Sequence, residues 1–452
     1  MAEQQEAEIA EPGVSADWPS KARSWSLVFI LVLAYICAFA DRQILSLLVD
    51  PIKRDLNITD TEFSLLNGLA FTLCYTIVGL PLAWLADRGS RRNLIISCIS
   101  FWSLMTAVCG MANSYWTLFL ARMGVGAGEA GLSPAAYSMI ADHFPPEKRA
   151  RPMSVYATGS ILGAGIAFMV GGAVVQWTSD AHHIVLPLIG AIKPWQVAFL
   201  SVAMIGPPVV LAMFLIREPA RREMGAAQDG GSTTLLGYLR RRGRVFLLLT
   251  FAYGISGMVI ASYKAWAPAM LMRQFGWEVG TVGFVLGAML MVGSGVGVLI
   301  GGWLSDRLAK GGRLDAPPMA SLVAACVAGP FAVAAPLVDS SQAVTILLAA
   351  ATFGFGLMQG LPAPALQAIA PNRLRARIFA TYFLIGNPIA FIVGPTAVAM
   401  VSDGIFENPA KVGIALACVS AVAMPLSALC LVAALAPFRR AVAEEVHAKM
   451  PA

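Results

Sequence analysis

Ala40-Asp41-Arg42-Gln43 interrupts an otherwise apolar run from Ser26 to Val49, which is long enough to cross a bilayer as a helix. A carboxylate and a guanidinium at membrane depth each cost about 3 kcal/mol or more. A chain carries such groups where they face a wet cavity or a partner. The stretch therefore reads as a functional site, in preference to an ion pair that only helps helices pack. Neighbouring residues on a helix point about 100° apart, so Asp41 and Arg42 read as separate groups facing one cavity or different neighbouring helices. The expectation is a polytopic membrane transporter.

Composition agrees. The 452 residues are 58% hydrophobic and 13% charged, with a mean hydropathy of +0.71, where soluble chains carry about a quarter charged residues. That length holds about twelve spans of about 20 residues each. The apolar runs place them at 26–49, 62–85, 93–111, 116–141, 152–176, 194–216, 245–270, 279–304, 317–337, 342–369, 374–400 and 410–436. The seven cysteines lie in these runs without CxxC or Cys/His spacing, so neither a disulfide framework nor a metal site is expected. The first run is too long for a cleavable signal and acts as its own insertion signal.

Twenty-four of the 32 Lys and Arg fall in one alternate set of loops and tails, five in the other and three within spans. The positive-inside rule then puts both termini in the cytoplasm. The net charge of +6 is loop charge of this kind and does not imply nucleic acid. The chain also repeats. Ile166-Ala-Phe-Met-Val-Gly171 returns as Ile389-Ala-Phe-Ile-Val-Gly394, Arg149-Ala-Arg151 as Arg375-Ala-Arg377, and Asp87-Arg88 as Asp306-Arg307. The expected fold is an all-α membrane protein of twelve transmembrane helices in two pseudo-symmetric six-helix bundles, 26–216 and 245–436. A cytoplasmic linker at 217–244 joins them, between tails at 1–25 and 437–452. Such halves meet around a site near the midplane in secondary transporters. The linker reads either as plain solvated chain or as carrying an amphipathic piece around Leu235–Arg244.

Leu85-Ala-Asp87-Arg88-Gly-Ser-Arg91-Arg92 resembles the signature of the major facilitator superfamily. Ala83 stands where that motif usually has glycine, and Gly302 keeps it in the second half. Arg122-Met-Gly-Val-Gly-Ala-Gly-Glu129-Ala-Gly-Leu-Ser-Pro134, together with Asp41-Arg42, resembles the Spinster branch, whose members transport lysolipids and sphingolipids. Organic-anion and organic-cation symporters of the superfamily carry similar patterns. The resemblance implies that Asp87, Arg88 and Arg91, Asp306 and Arg307, with Arg149 and Arg377, latch the cytoplasmic side in one state. That role is gating. The Gly-Pro of the superfamily's antiporter motif is absent from span 5, where Gly163-Ala-Gly165 stands, which argues against drug-type proton antiport.

Gly126-Ala-Gly128-Glu-Ala-Gly131 has dinucleotide-loop spacing, but no strand precedes it, so its small residues read as a close helix contact. Arg122 and Glu129, about two turns apart, project from one face. Asp41 and Glu129 are the carboxylates deep within spans. Burial draws them toward the neutral form and arginine toward the charged form, the balance that proton coupling uses. Lys264 reads as a second-half cavity cation or as a snorkelling interface residue. Asn67, Tyr75, Tyr156, Gln359, Gln367, Tyr382 and Asn387 are polar groups at membrane depth. His182-His183 lacks a third ligand, and Asn57-Ile-Thr59 is a glycosylation sequon.

The sequence thus reads as a proton-coupled carrier in the lipid bilayer, in a bacterial inner membrane and as a monomer. Its substrate is an amphipathic lipid or related organic anion, held by Arg42 and Arg122 with Tyr75, Tyr156, Lys264, Gln359 and Asn387. Asp41 and Glu129 are the coupling acids, with Asp41 beside the arginines it competes for. The alternatives are a small organic-anion symporter for sugar acids or carboxylates, and a lipid receptor that does not transport. No enzyme, metal or cofactor is expected. H⁺ is the expected coupling ion, and Na⁺ remains an alternative.

Overall fold

The computed structural model describes residues 18–179, 184–186, 190–218, 235–371 and 374–447 and is helical almost throughout. Most of the linker (219–234) and His182-His183 lie outside the described residues. Eleven described helices are long and apolar enough to cross a bilayer. They are span 1 (Lys21–Leu47), span 2 (Asp60–Arg88), span 3 (Arg91–Gly110), span 5 (Ala150–Thr178), span 6 (Pro194–Phe214), span 7 (Leu235–Phe275), span 8 (Val279–Lys310), span 9 (Ala316–Leu337), span 10 (Ser341–Ile369), span 11 (Arg377–Ile405) and span 12 (Pro409–Glu444). Span 4 completes the twelve in two pieces, Tyr115–Glu129 and Leu132–His143. The first piece has 15 residues and rises only about 22 Å, short of the hydrocarbon thickness. The break has a covalent cause. Pro134 lacks an N–H and its ring clashes with the carbonyl four residues back, at Ala130, where the turn lies. The remaining extramembrane structure includes a hairpin of β1 (Ile184–Leu186) and β2 (Gly190–Ile192) between spans 5 and 6.

Two boundaries differ from the sequence reading. The amphipathic stretch at Leu235–Arg244 is no separate linker helix. It forms the first turns of span 7, held where the Tyr238 hydroxyl and Arg242 Nη1 donate to the Ile369 carbonyl at 3.3 and 3.0 Å. The helix of span 12 runs to His447, through most of the expected tail. Local signals place the other starts. At span 2, Thr59 Oγ1 accepts from Glu62 N while Glu62 Oε2 accepts from Thr59 N, a reciprocal cap. Asn57, in the sequon, ends the preceding short helix with φ of 52°, a left-handed conformation that asparagine tolerates.

Lipid gives helices no hydrophobic reason to associate, so close packing of small residues does much of the work. Spans 5 and 8 join the halves this way. A methyl at Gly172 would lie 3.0 Å from the Gly283 Cα, and one at Gly287 2.6 Å from the Gly165 carbonyl oxygen. Spans 2 and 11 meet where each is wound as a π-helix, at Leu66–Ala70 and Pro388–Val393, with Gly68 against the Phe391 carbonyl. Within the first half, a Cβ on Gly126 would strike the Phe71 carbonyl and lie 3.1 Å from its Cα. Backbone cannot move aside cheaply. Gly126→Val is therefore expected to destabilise the protein by about 2–3 kcal/mol, as overpacking does, read as a lowered melting temperature in detergent.

The two ends of the bundle differ. Lys21, Arg88, Arg149, Arg307 and Arg439 mark one end, here called the basic end. At the other, distal end the halves are tied together. Arg273 of span 7 donates to both Asp60 oxygens (2.8 and 2.9 Å), to Asp50 Oδ1 (2.7 and 2.9 Å) and to the Pro409 carbonyl (3.0 Å). Lys53 also pairs with Asp60. Thr61 donates through N and Oγ1 to Asp403 Oδ2, both at 2.7 Å, and Ser64 Oγ bonds Thr396 Oγ1 at 3.1 Å.

Candidate functional site

With the distal end sealed, the space between the halves opens toward the basic end. It is a cavity of about 820 Å³ whose lining runs from Arg42, Asn67 and Lys264 at mid-depth to Leu80, Leu235 and Arg377 at the mouth. Four of its described wall residues are basic, Arg42, Arg122, Lys264 and Arg377, and none is an aspartate or glutamate. Gln43, Ser46, Asn67 and Thr72 make the deeper wall polar, while Phe71, Tyr75, Leu80, Phe383, Leu384 and Phe391 supply an apolar side.

The carboxylates stand behind this wall. Arg42 donates from Nε and Nη2 to Glu129 Oε2 at 2.7 and 2.6 Å, with the arginine side chain 21% exposed and the glutamate wholly buried. The rings of Phe71, Tyr75 and Phe39 surround the guanidinium at 4.4, 4.9 and 5.0 Å, a stacking geometry that suits arginine and not lysine. Asp41, next to Arg42 in sequence, turns away from it. Its Oδ1 lies 2.6 Å from Thr106 Oγ1, which also lies 2.9 Å from the Trp102 carbonyl. One hydroxyl proton cannot serve both oxygens at once. With Asp41 ionised, Thr106 donates to it. With Asp41 protonated, Asp41 donates to Thr106 and Thr106 to Trp102. Asp41 can therefore hold or release a proton while remaining hydrogen-bonded.

Arg122 reaches the Asp41 backbone carbonyl from Nη1 at 3.2 Å and does not touch its carboxylate. Arg122 Nε, Asp41 Oδ2 and Glu129 Oε1 are buried without a partner. Unpaired buried polar atoms are costly, and three of them fall in this one cluster. The sequence reading set Asp41 in competition for the arginines. The carboxylate that pairs with Arg42 is Glu129, 87 residues along the chain, and Asp41 forms no ion pair among the described residues.

Tyr75 and Asn387 line the cavity, and Lys264 lies on its wall, so the interface reading of Lys264 falls. Tyr156 does not line it. That residue is fully buried, stacked on Tyr35 at 4.6 Å and edge-on to Tyr137 at 5.1 Å, with its hydroxyl 3.3 Å from Ser133. It supports two wall tyrosines. Gln359 lines a separate pocket of about 30 Å³ beyond Lys264, with Ser294 and Thr352.

The residues expected to gate also divide. Asp87 and Asp306 are exposed at the basic end, and neither forms an ion pair among the described residues. Arg88 stacks on Trp84 at 4.1 Å and Arg307 on Trp303 at 5.3 Å, a contact repeated in both halves. Arg377 lies on the cavity wall. Arg149 donates to the Phe144 carbonyl at 2.9 Å, inside the first half. Arg91 is not at a seam between halves. It is buried in the first half, paired with Asp142 and with Glu218 at 3.0 Å, and bonded to Ser138 at 2.9 Å.

Glu218 was not singled out by the sequence. Burial pushes its carboxyl up, but donors from Arg92 N, Ser90 Oγ and Arg91 outweigh this and hold it below the ordinary glutamate range. A depressed acid stabilises the fold above its unfolded value, about 4.3, and that stability is lost as pH falls through the folded value. Glu218→Gln should lower the melting temperature at pH 7, and the gap from wild type should close below about pH 4.

Residues 31–395 match the Major Facilitator Superfamily. The chain belongs to this superfamily. Among relatives of this facilitator, an "MFS-type efflux pump" of Mycolicibacterium smegmatis is 30% identical over 442 residues, 96% of this chain and 97% of that one. A "Probable L-galactonate transporter" of Escherichia coli is 26% identical over 343 residues, 73% of this chain and 71% of that one. Among solved structures, a bacterial homologue of the human lysosomal transporter Spinster, inward-facing and unoccupied, superposes with a TM-score of 0.76. It is 26% identical and covers 96% of this chain and 100% of that one. The facilitator is thus Spinster-like in fold as well as in the motifs of spans 1 and 4.

Proposed function

We propose that this facilitator is a proton-coupled carrier of an amphipathic organic anion, exposing one cavity alternately at its two ends. The observation that carries the reading is the wall itself, whose described residues include four cations, no aspartate or glutamate, and a continuous apolar side. A cation substrate would meet repulsion there, and a neutral sugar would leave the four cations without use. The headgroup belongs on Arg42 and Arg122, the tail along Phe71, Phe383 and Phe391. An anion on Arg42 competes with Glu129, and Glu129 then takes a proton. Substrate and proton therefore bind together. Asp41 is the second acid. On this reading the basic end faces the cytoplasm of a bacterial inner membrane, and Asp87 and Asp306 latch that end once it closes.

A second reading has a specific observation behind it. The deeper wall of Gln43, Ser46, Asn67 and Thr72 could bond the hydroxyls of a small sugar acid, and the Escherichia coli relative bears such a name. Uptake into proteoliposomes decides between them. Single-tailed phosphates and octyl sulfate should accumulate when the pH gradient drives inward, and L-galactonate should not. The opposite ranking favours the sugar acid, and binding without uptake would make the protein a receptor. Orientation is read separately. A cysteine at Arg241, in a chain cleared of its native cysteines, should resist an impermeant maleimide in intact cells and react once they are opened.

A further inference from the structure

A second large cavity lies outside the space between the halves. It holds about 990 Å³, and its described wall comes from the basic ends of spans 1, 4 and 6, all in the first half. Span 1 supplies Phe29, Ile30 and Leu33, and span 6 with the residues after it supplies Ala212 and Leu215. Phe29 and Leu215 are exposed. Arg23 and Arg217 line the same groove nearer the basic end, with Trp25, which is edge-on to Phe144 at 5.7 Å. No aspartate or glutamate lines it among the described residues. The two acids beside it in sequence are committed elsewhere. Asp142 pairs with Arg91, and Glu218 accepts from Arg91 Nε at 3.0 Å, Arg92 N at 2.8 Å and Ser90 Oγ at 2.8 Å. Arg23 and Arg217 form no ion pair among the described residues. From Arg23 to Leu33 the helix rises about 15 Å, which is one leaflet's share of a hydrocarbon core about 30 Å thick.

We propose that this groove binds one anionic phospholipid of the surrounding bilayer, separate from any transported substrate. The phosphate lies between Arg23 and Arg217, and one acyl chain runs down between Phe29 and Leu33 of span 1 and Ala212 and Leu215 beside them. Guanidinium suits phosphate because its donors are paired and planar. Exposed charges alone hold a free anion weakly in water, so the apolar part of the groove is what selects a lipid. Trp25 stands at the level where an amphipathic ring is favoured, between headgroup and chain. A lipid with a net-neutral headgroup brings an ammonium that the two arginines repel. The bound lipid covers the exposed faces of two helices and answers two charges that the described chain leaves open.

The test uses the full chain in a neutral maltoside detergent, with phosphatidylglycerol and phosphatidylcholine of equal chain length as probes and native mass spectrometry as the readout. Wild type should bind its first phosphatidylglycerol at least about tenfold more tightly than Arg23→Gln/Arg217→Gln, the equivalent of about 1.4 kcal/mol. Phosphatidylcholine should bind both proteins alike and more weakly. Ala212→Trp, which fills the apolar part and keeps both arginines, should lose the tight site as the double variant does. Arg42→Ala, which disables the cavity between the halves, should keep it. Both arginines are exposed, so the double variant is expected to fold, and a monodisperse elution profile qualifies each protein. Equal affinity in wild type and the double variant, or equal binding of the two lipids, would overturn the proposal. Loss of the tight site in Arg42→Ala would assign the lipid to the transport cavity and overturn it as well. Displacement by glycerol phosphate, which has the headgroup's charge and no chain, would make the groove a plain anion site and also overturn it.

Discussion

Arg42→Ala should weaken binding of an anionic amphiphile by about a hundredfold at every pH, the equivalent of about 3 kcal/mol. The magnitude follows from what surrounds the guanidinium. It is the cavity cation with two charge-assisted bonds already oriented, to Glu129 at 2.7 and 2.6 Å, and three aromatic rings fix its plane. An anion that takes over those donors meets a site already arranged for it. Arg42→Lys should recover little, because an ammonium offers neither the forked donors nor the flat face. Glu129→Gln should act in the opposite sense. Without its competitor, Arg42 is free at every pH, so binding should persist and lose its pH dependence. Accumulation against a gradient should cease. Titration of purified protein with octyl sulfate at several pH values separates the two variants, and equal behaviour would refute the competition.

Which of these features the sequence could show follows from the range of each signal. Apolar runs and loop charge are local, and they placed twelve crossings and the two halves' repeat. Pro134 was visible in the sequence too, but the break it makes in span 4 needs the clash with Ala130 to be drawn. Asp41, Arg42, Arg122 and Glu129 stood out because charge within an apolar run is costly wherever it falls. Their partners did not. Asp41 and Arg42 are adjacent, yet helical geometry sends one to Thr106 and the other to Glu129. Arg273 looked like an ordinary loop charge, because Asp50 and Asp60 lie 223 and 213 residues away. Tyr156 shows the same limit. A tyrosine at membrane depth reads alike whether it faces the cavity or, as here, stands one layer behind it.

The second large effect is expected at that distal seal. Arg273→Ala should shift the balance between the two end states by about a hundredfold toward opening of the distal end. The Asp60 side chain is wholly buried and Arg273 is 9% exposed, so removing the arginine leaves carboxylates facing one another with Lys53 alone to compensate. Breaking a buried pair from one side costs about 3–5 kcal/mol. The retained Lys53 contact places the expectation at the lower end, and about 3 kcal/mol is two decades in the equilibrium. Arg273→Lys should fall between, since one ammonium cannot reach both Asp60 oxygens and Asp50 together. Spin labels at Arg54 and Asp339, one on each half at the distal end, should report a longer distance in Arg273→Ala. An unchanged distribution would show that the Thr61–Asp403 and Ser64–Thr396 bonds and the glycine seams hold this end shut without Arg273.

The coupling of anion to proton is measured most directly by the protons exchanged when ligand binds. Octyl sulfate binding, followed by calorimetry in buffers of different ionisation heat, gives that number without a membrane. Near neutral pH the wild-type protein should take up as much as about one proton per ligand bound, as Glu129 leaves Arg42 and is protonated. Glu129→Gln should bind with no proton uptake. Binding without proton exchange in wild type, or undiminished uptake in Glu129→Gln, would contradict the competition between substrate and Glu129 for Arg42.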